Sequence, residues 1–260
     1  IRDRSPSRGL GDVYKRQVSK GSVSATDPFE TVHMGVTAEN VAAKFGISRD
    51  QQDAFAVESH KRAARATEAG HFKDQILPIE ITTKKGPVQF VLDEHIRADA
   101  SVEGMAKLKT AFKKEGGSVT PGNASGINDA AAAVVLMEAS AAAKAGLKPL
   151  ARLVSYAVAG VEPSIMGTGP IPAVGMALKR AGLKASDMDV IESNEAFAAQ
   201  ALCVTKGLEL DPAKVNPNGG AIALGHPLGA TGAILTVKCV YELMRTGKKY
   251  GLITMCIGGG

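Results

Sequence analysis

Tryptophan is absent, and aromatic residues make up only 4% of the 260 positions. Cysteine occurs three times, at Cys203, Cys239 and Cys256. A set that is odd and sparse builds no disulfide framework, and its spacing suits no zinc site. The five histidines are scattered and include no HExxH pair, so the sequence predicts no metal. No apolar run is long enough to cross a bilayer, and the first residues lack the apolar core of a signal peptide. These absences predict a protein off the membrane, in a reduced cytoplasmic compartment. Also missing are a GxGxxG run in a dinucleotide context and a Walker A loop, which excludes the usual nicotinamide and nucleoside-triphosphate enzymes.

The net charge of +5 does not point to nucleic acid. Residues 1–17 carry five basic and two acidic side chains, and the other 243 positions carry 26 basic and 24 acidic groups, close to balance. A basic binding face is not indicated. Residues 1–17 have no periodic apolar face, and they read as a non-native or solvated tail that packs against nothing.

Beyond the tail, residues 18–147 and 148–260 differ in texture. In the first stretch, Thr37 to Gly46 reads as a short helix capped by Thr37. A second helix opens on Ser48-Arg49-Asp50-Gln51, which has the form of a capping box. Residues 71–120 are mixed, with β-like pieces such as Ile79 to Ile81 in an elaborated loop region. An apolar run from Ala130 to Met137 leads into a helix that ends at Gly146. The second stretch alternates strands and helices. Strands are predicted at Ala151 to Val158, Val190 to Ser193 and Leu252 to Met255. Helices are predicted at Pro172 to Arg180, Ala196 to Lys206 and Ala233 to Arg245. This alternation indicates a layered α/β fold.

Three polar residues fall at element junctions. Asn194 follows a strand, His226 sits in a loop with five glycines between 219 and 232, and Cys256 follows the last strand. In open α/β sheets such junctions line the ligand crevice. An amide, an imidazole and a thiol together suit acyl transfer on a thioester. Singly, each has a plainer reading: a helix cap, a turn residue and a small buried apolar group. Cys203 and Cys239 fall within predicted helices and read as packing residues.

Longer motifs carry a resemblance. Asn194-Glu195-Ala196-Phe197, Gly225-His226-Pro227-Leu228-Gly229 and Cys256-Ile257-Gly258-Gly259-Gly260 resemble thiolase signatures, in thiolase order. Further matches are His33-Met34-Gly35, Asp93-Glu94-His95-Ile96-Arg97, Gly122-Asn123-Ala124-Ser125-Gly126 and Met166-Gly167-Thr168-Gly169-Pro170. The resemblance spans about residues 24–260 and is closest to biosynthetic-type acetyl-CoA acetyltransferases. It implies the layered α-β-α-β-α thiolase-like fold and condensation of two acetyl-CoA to acetoacetyl-CoA, or the reverse thiolysis. Cys256 is implied as the acid/base, its pKa lowered by N–H dipoles. His226 and an Asn194-held water are implied to bind the thioester oxygen, with the Gly258 N–H in a second oxyanion hole. Ser125, His33, Met34, Arg97, Phe112, Met166, Ala196 and Phe197 match positions that line the CoA and pantetheine tunnel. The implied partners are acetyl-CoA, acetoacetyl-CoA and CoA, with no permanently bound cofactor, no nucleic acid and no membrane. A homodimer or homotetramer is implied for the complete protein.

One departure matters. The family's nucleophilic Cys lies upstream of the His-Met-Gly segment, and none of the 32 residues before His33 is Cys. The polypeptide as written is therefore expected to be inactive. Two other readings compete. Ketoacyl-synthase-type condensing enzymes carry a second His where Asn194 stands and lack a Cys at position 256. A non-catalytic acyl-CoA-binding module would keep an apolar tunnel without the three polar residues, and all three are present.

Overall fold

The computed structural model describes residues 26, 27, 29 and 31–260, so the expectation for residues 1–17 lies outside the described residues. Helix α1 spans Met34–Phe45 and α2 spans Arg49–Glu68. The capping box forms as expected: Ser48 Oγ accepts from Gln51 N–H at 3.2 Å, and Gln51 Oε1 accepts from Ser48 N–H at 2.9 Å. The cap of α1 is His33, not Thr37, because His33 Nδ1 accepts from Gly35 N–H at 3.0 Å. Thr37 lies one turn inside and donates back to Met34 O at 2.7 Å, an arrangement that helical Ser and Thr adopt readily.

Strands β1 (Ile79–Thr83) and β2 (Gly86–Phe90) form an antiparallel hairpin whose β1 residues are all exposed. The hairpin belongs to an elaborated loop region, as read from the sequence. Short helices α3 (Val102–Ala106) and α4 (Ala139–Lys144) follow. The apolar run before α4 forms no helix or strand, and Val135 and Leu136 are exposed. The expected strand at Ala151 to Val158 does not form either. A strand needs a neighbour to take its backbone hydrogen bonds, and no described segment pairs with this one. Side chains and helix contacts hold it instead: Ser155 Oγ donates to Ala177 O, and Arg180 donates to Tyr156 O, each at 2.6 Å.

The layered part follows. Helix α5 (Pro170–Ala181) ends at Gly182, whose φ is 68°. Strand β3 (Val190–Ser193) leads to α6 (Ala198–Gly207), then α7 (Ala221–Leu224), α8 (Thr231–Thr246) and β4 (Gly251–Thr254). β3 and β4 pair in parallel, with Ser193 opposite Thr254, and Val215 extends the pairing through a parallel bridge to Ile191. Alternation along β3 sorts its two faces. Ile191 packs with Val174 of α5, Met188, Leu210, Val215 and Leu252, whereas Glu192 meets Lys238 of α8. Helices therefore cover both faces of the parallel strands. α6 is the inner helix: Ala198, Ala199, Ala201, Cys203 and Val204 are all buried. Its small residues let α1 and α2 pack against it. Cys203 packs on Val41 and Ile47.

Candidate active site

Three segments leave the same end of neighbouring parallel strands. Asn194 follows β3, Cys256 follows β4 by two residues, and the chain beyond Val215 runs through residues 216–225 to His226. The strand ends thus collect residues that lie far apart in sequence, as expected for the carboxyl edge of an α/β sheet.

Asn194 is 1% exposed, and its N–H donates to Thr254 O at 2.9 Å, which fixes it against β4. Its Nδ2 lies 3.3 Å from His226 Nε2, and its Oδ1 is buried without a partner among the described residues. His226 is held from two sides. Its N–H donates to Gly126 O at 2.9 Å, and its Nδ1 lies 2.7 Å from Thr231 Oγ1. The Thr231 hydroxyl has one proton and two acceptors in reach, His226 Nδ1 and Pro227 O, the latter at 3.0 Å. Donation to the closer acceptor leaves the ring proton on Nε2, facing Asn194. Exchanging the Asn194 amide O and N then pairs its orphaned Oδ1 with that proton, an assignment that the hydrogen-bond network decides. Burial pushes the His226 pKa down to about 4. At neutral pH the ring is an uncharged donor, the form suited to a developing oxyanion.

Cys256 is half-buried beside a cluster of Ala38, Val119, Met166, Ala196 and Phe197, with Met34, Phe112 and Ala124 alongside. Five of the eight residues predicted to line the tunnel are therefore grouped with the thiol: Met34, Phe112, Met166, Ala196 and Phe197. His33 stacks on Phe112 at 4.6 Å, and Ser125 Oγ donates to the Ala196 carbonyl at 3.0 Å. Arg97 is exposed and outside the cluster, and its backbone N–H donates to His60 Nδ1 of α2 at 3.2 Å. A Cβ at Gly258 would overlap the end of the Met34 side chain, which would have to shift to admit it.

The expected depression of the Cys256 pKa is not found. Burial pushes this thiol up to about 12. Desolvation of the thiolate outweighs the backbone dipoles, so in the ligand-free site the group is a protonated thiol. Cys203 and Cys239, unlike the half-buried Cys256, are buried, and burial pushes them up to about 11 and about 12.

Two residues of the site escaped the sequence reading. Thr231 lies five positions after His226, and helical Thr carries no distinctive signal. Asp27, fully buried, accepts from the Gly259 N–H at 2.8 Å and braces the loop after Cys256. Such a pairing, 232 positions apart, has no local signature.

Family models of the thiolase N-terminal domain and the thiolase C-terminal domain match residues 3–140 and 147–260. The chain belongs to the thiolase family. Among thiolase relatives, it is 64% identical over 251 residues to beta-ketothiolase BktB of Cupriavidus necator, covering 96% of this chain and 63% of that protein. It is 56% identical over 236 residues to an acetyl-CoA acetyltransferase of Chromobacterium violaceum, covering 90% and 60%. The crystal structure of the Bacillus anthracis acetyl-CoA acetyltransferase superposes with a TM-score of 0.88 at 50% identity, covering 91% of this chain and 60% of that one. Human mitochondrial 3-ketoacyl-CoA thiolase in complex with CoA superposes at 0.84 with 46% identity, covering 91% and 58%. The chain thus spans about three-fifths of the length of these thiolases. The superpositions agree with the layered α/β fold expected of the family.

The histidines give a pH prediction. His60, 3% exposed, is pushed down to about 4, chiefly by burial and then by His95 and Arg97, and His226 sits equally low. In the unfolded chain both titrate near 6.5. Between about pH 6.5 and 4 the unfolded state binds more protons, so stability falls as pH falls through that window. The expected loss is roughly 1 kcal/mol per histidine by about pH 5.5. Urea unfolding at pH 7 and pH 5.5 checks it, and His60→Gln should flatten the dependence.

Proposed function

We propose that the protein carrying this chain is an acyltransferase of the acetyl-CoA C-acetyltransferase type, which joins two acetyl-CoA into acetoacetyl-CoA or runs the reverse thiolysis. The observation that supports this reading is the 3.3 Å Asn194–His226 contact beyond β3, with Cys256 beyond the same end of the neighbouring β4 and an apolar cluster against its thiol.

In the condensing direction an upstream Cys holds an acetyl group as a thioester, with one CoA thiol released. The Cys256 thiolate takes the α-proton of a second acetyl-CoA. His226 Nε2–H and a water held by Asn194 stabilise the enolate oxygen. The carbanion attacks the enzyme-bound acyl carbon, whose developing oxyanion faces the Gly258 N–H, and the upstream thiolate leaves. Met34, Phe112, Met166, Ala196 and Phe197 take the pantetheine arm, His33 and Ser125 border it, and Arg97 meets the charged end of CoA at the surface. CoA thioesters are substrates here, no cofactor is permanently bound, and the protein acts in the cytoplasm as a homodimer or homotetramer.

The polypeptide of these 260 residues contains no cysteine before His33. Alone it should degrade acetoacetyl-CoA in the presence of CoA at a rate at least about 10,000-fold below that of the same chain joined to a Cys-bearing thiolase N-terminal segment. Loss of acetoacetyl-CoA absorbance measures both. Equal turnover by the two proteins would refute the need for a separate nucleophile.

A further inference from the structure

Glu195 directly follows Asn194 and is a carboxylate shut inside the protein, 2% exposed. The proposed chemistry gives it no task. Three donors from three segments nevertheless converge on it. Ser59 Oγ–H of α2 donates at 2.6 Å, Asn216 Nδ2 at 2.8 Å and the Ile222 N–H of α7 at 3.2 Å. Ser59 Oγ in turn accepts from the Gly220 N–H at 3.1 Å. Asn216 is itself clamped to β3, where its Oδ1 accepts from Ser193 N–H at 2.9 Å and its Nδ2 donates to Ser193 O at 2.8 Å. A Cβ at Gly220 would overlap the Glu195 carboxyl group, so glycine lets the loop seat on it.

The carboxylate therefore ties the start of the glycine-rich loop to the residue beside Asn194. The far end of that loop delivers His226. Both mounts of the 3.3 Å Asn194–His226 contact are joined behind it by one buried side chain.

We propose that Glu195 is a positioning residue, whose buried carboxylate sets the separation of Asn194 and His226 by anchoring the 219–225 loop to the end of β3. The assignment deepens the site reading above but rests on contacts that exist whether or not acyl transfer occurs. All three partners of the carboxylate are donors, so a glutamine amide has to turn its NH2 toward one of them. If Ser59 turned to accept from that NH2, it would give up the bond that its proton now makes to position 195 at 2.6 Å. The charges facing Glu195 are Lys238 of α8 and Glu192 of β3, and the test leaves both in place.

Diethyl pyrocarbonate modifies uncharged imidazole, and peptide mass spectrometry reads each of the five histidines separately. The intact chain, Glu195→Gln and Ser59→Ala are compared between pH 5 and 8. His226 in the parent chain should react slowly, with a flat profile, because its ring stays neutral throughout. In Glu195→Gln its rate should rise about tenfold, and its profile should become sigmoid with a midpoint moving toward about 6.5, the value of an open histidine. His33, stacked on Phe112 in another part of the site, should not change. A folded Glu195→Gln protein with the parental rate and profile at His226 overturns the proposal. If all five histidines change together the variant has unfolded, and Ser59→Ala decides. A change confined to His226 supports the tie, and no change overturns it. An inactive enzyme leaves these readouts untouched, so failure of the acyl-transfer reading is distinguishable.

Discussion

Cys256→Ala, placed in the chain joined to a Cys-bearing N-terminal segment, should lower carbon–carbon bond formation by about 100- to 10,000-fold while acetylation of the upstream Cys persists. The two steps ask for different groups. Acetylation needs a nucleophile and a donor at the acyl oxygen, the place proposed above for the Gly258 N–H. Bond formation also needs removal of an α-proton, and Cys256 is the thiol grouped with the apolar cluster. Its pKa, pushed up to about 12 by burial, makes its thiolate a strong base but a rare one. The condensation rate should therefore climb with pH across the neutral range. Rapid-quench detection of the acetylated peptide, beside acetoacetyl-CoA formation, separates the steps. Loss of both together would mean that the alanine disturbed the nucleophile rather than the base.

Lys238→Met should cost about 3–5 kcal/mol of stability, the range found when one member of a buried ion pair is removed. Lys238 Nζ lies 2.7 Å from Glu192 Oε2, with side-chain exposures of 6% and 0%. The ammonium also donates to Gly219 O at 2.7 Å, at the start of the loop that carries His226. Removing it leaves the buried Glu192 carboxyl facing Glu195 and Glu242 without a counter-charge, with Oε1 already lacking a partner among the described residues. Burial raises the Glu192 pKa and Lys238 opposes that rise. Without the lysine the carboxyl stays protonated in the fold while the unfolded chain releases its proton. Stability of the variant should then fall further as pH rises above the ordinary glutamate value. Urea midpoints at pH 5 and pH 8 measure this. Lys238→Met with Glu192→Leu should recover most of the loss, because the double change removes the orphan along with its partner.

The sequence displayed the parts of this molecule that are encoded locally. Ser48 and Gln51 announced the start of α2, and Gly46 and Gly182 closed their helices. Asn194, His226 and Cys256 stood at element junctions inside long motifs. What stayed hidden depends on distant chain. Ala151 to Val158 reads as a strand, but strand formation is decided by a neighbour, and none of the described segments supplies one. The helix after Asn194 starts at Ala198 rather than Ala196, because Phe197 bridges to Ala124 and Ser125 bonds to the Ala196 carbonyl. Helix propensity could not reveal that competition. The upward shift of the Cys256 thiol comes from desolvation by side chains distant in sequence, which the motif around it does not display. Thr231, Asp27 and Glu195 gained their parts only when the backbone brought their partners close.

The most direct test of the acyl-transfer reading is a crystal structure of the chain joined to its Cys-bearing segment, soaked with acetyl-CoA. The thioester oxygen should lie about 3 Å from His226 Nε2, with the methyl carbon about 3.5 Å from Cys256 Sγ and the pantetheine arm along Met34, Phe112, Met166 and Phe197. A thioester bound away from the Asn194–His226 pair, or at the opposite end of β3 and β4, would contradict it.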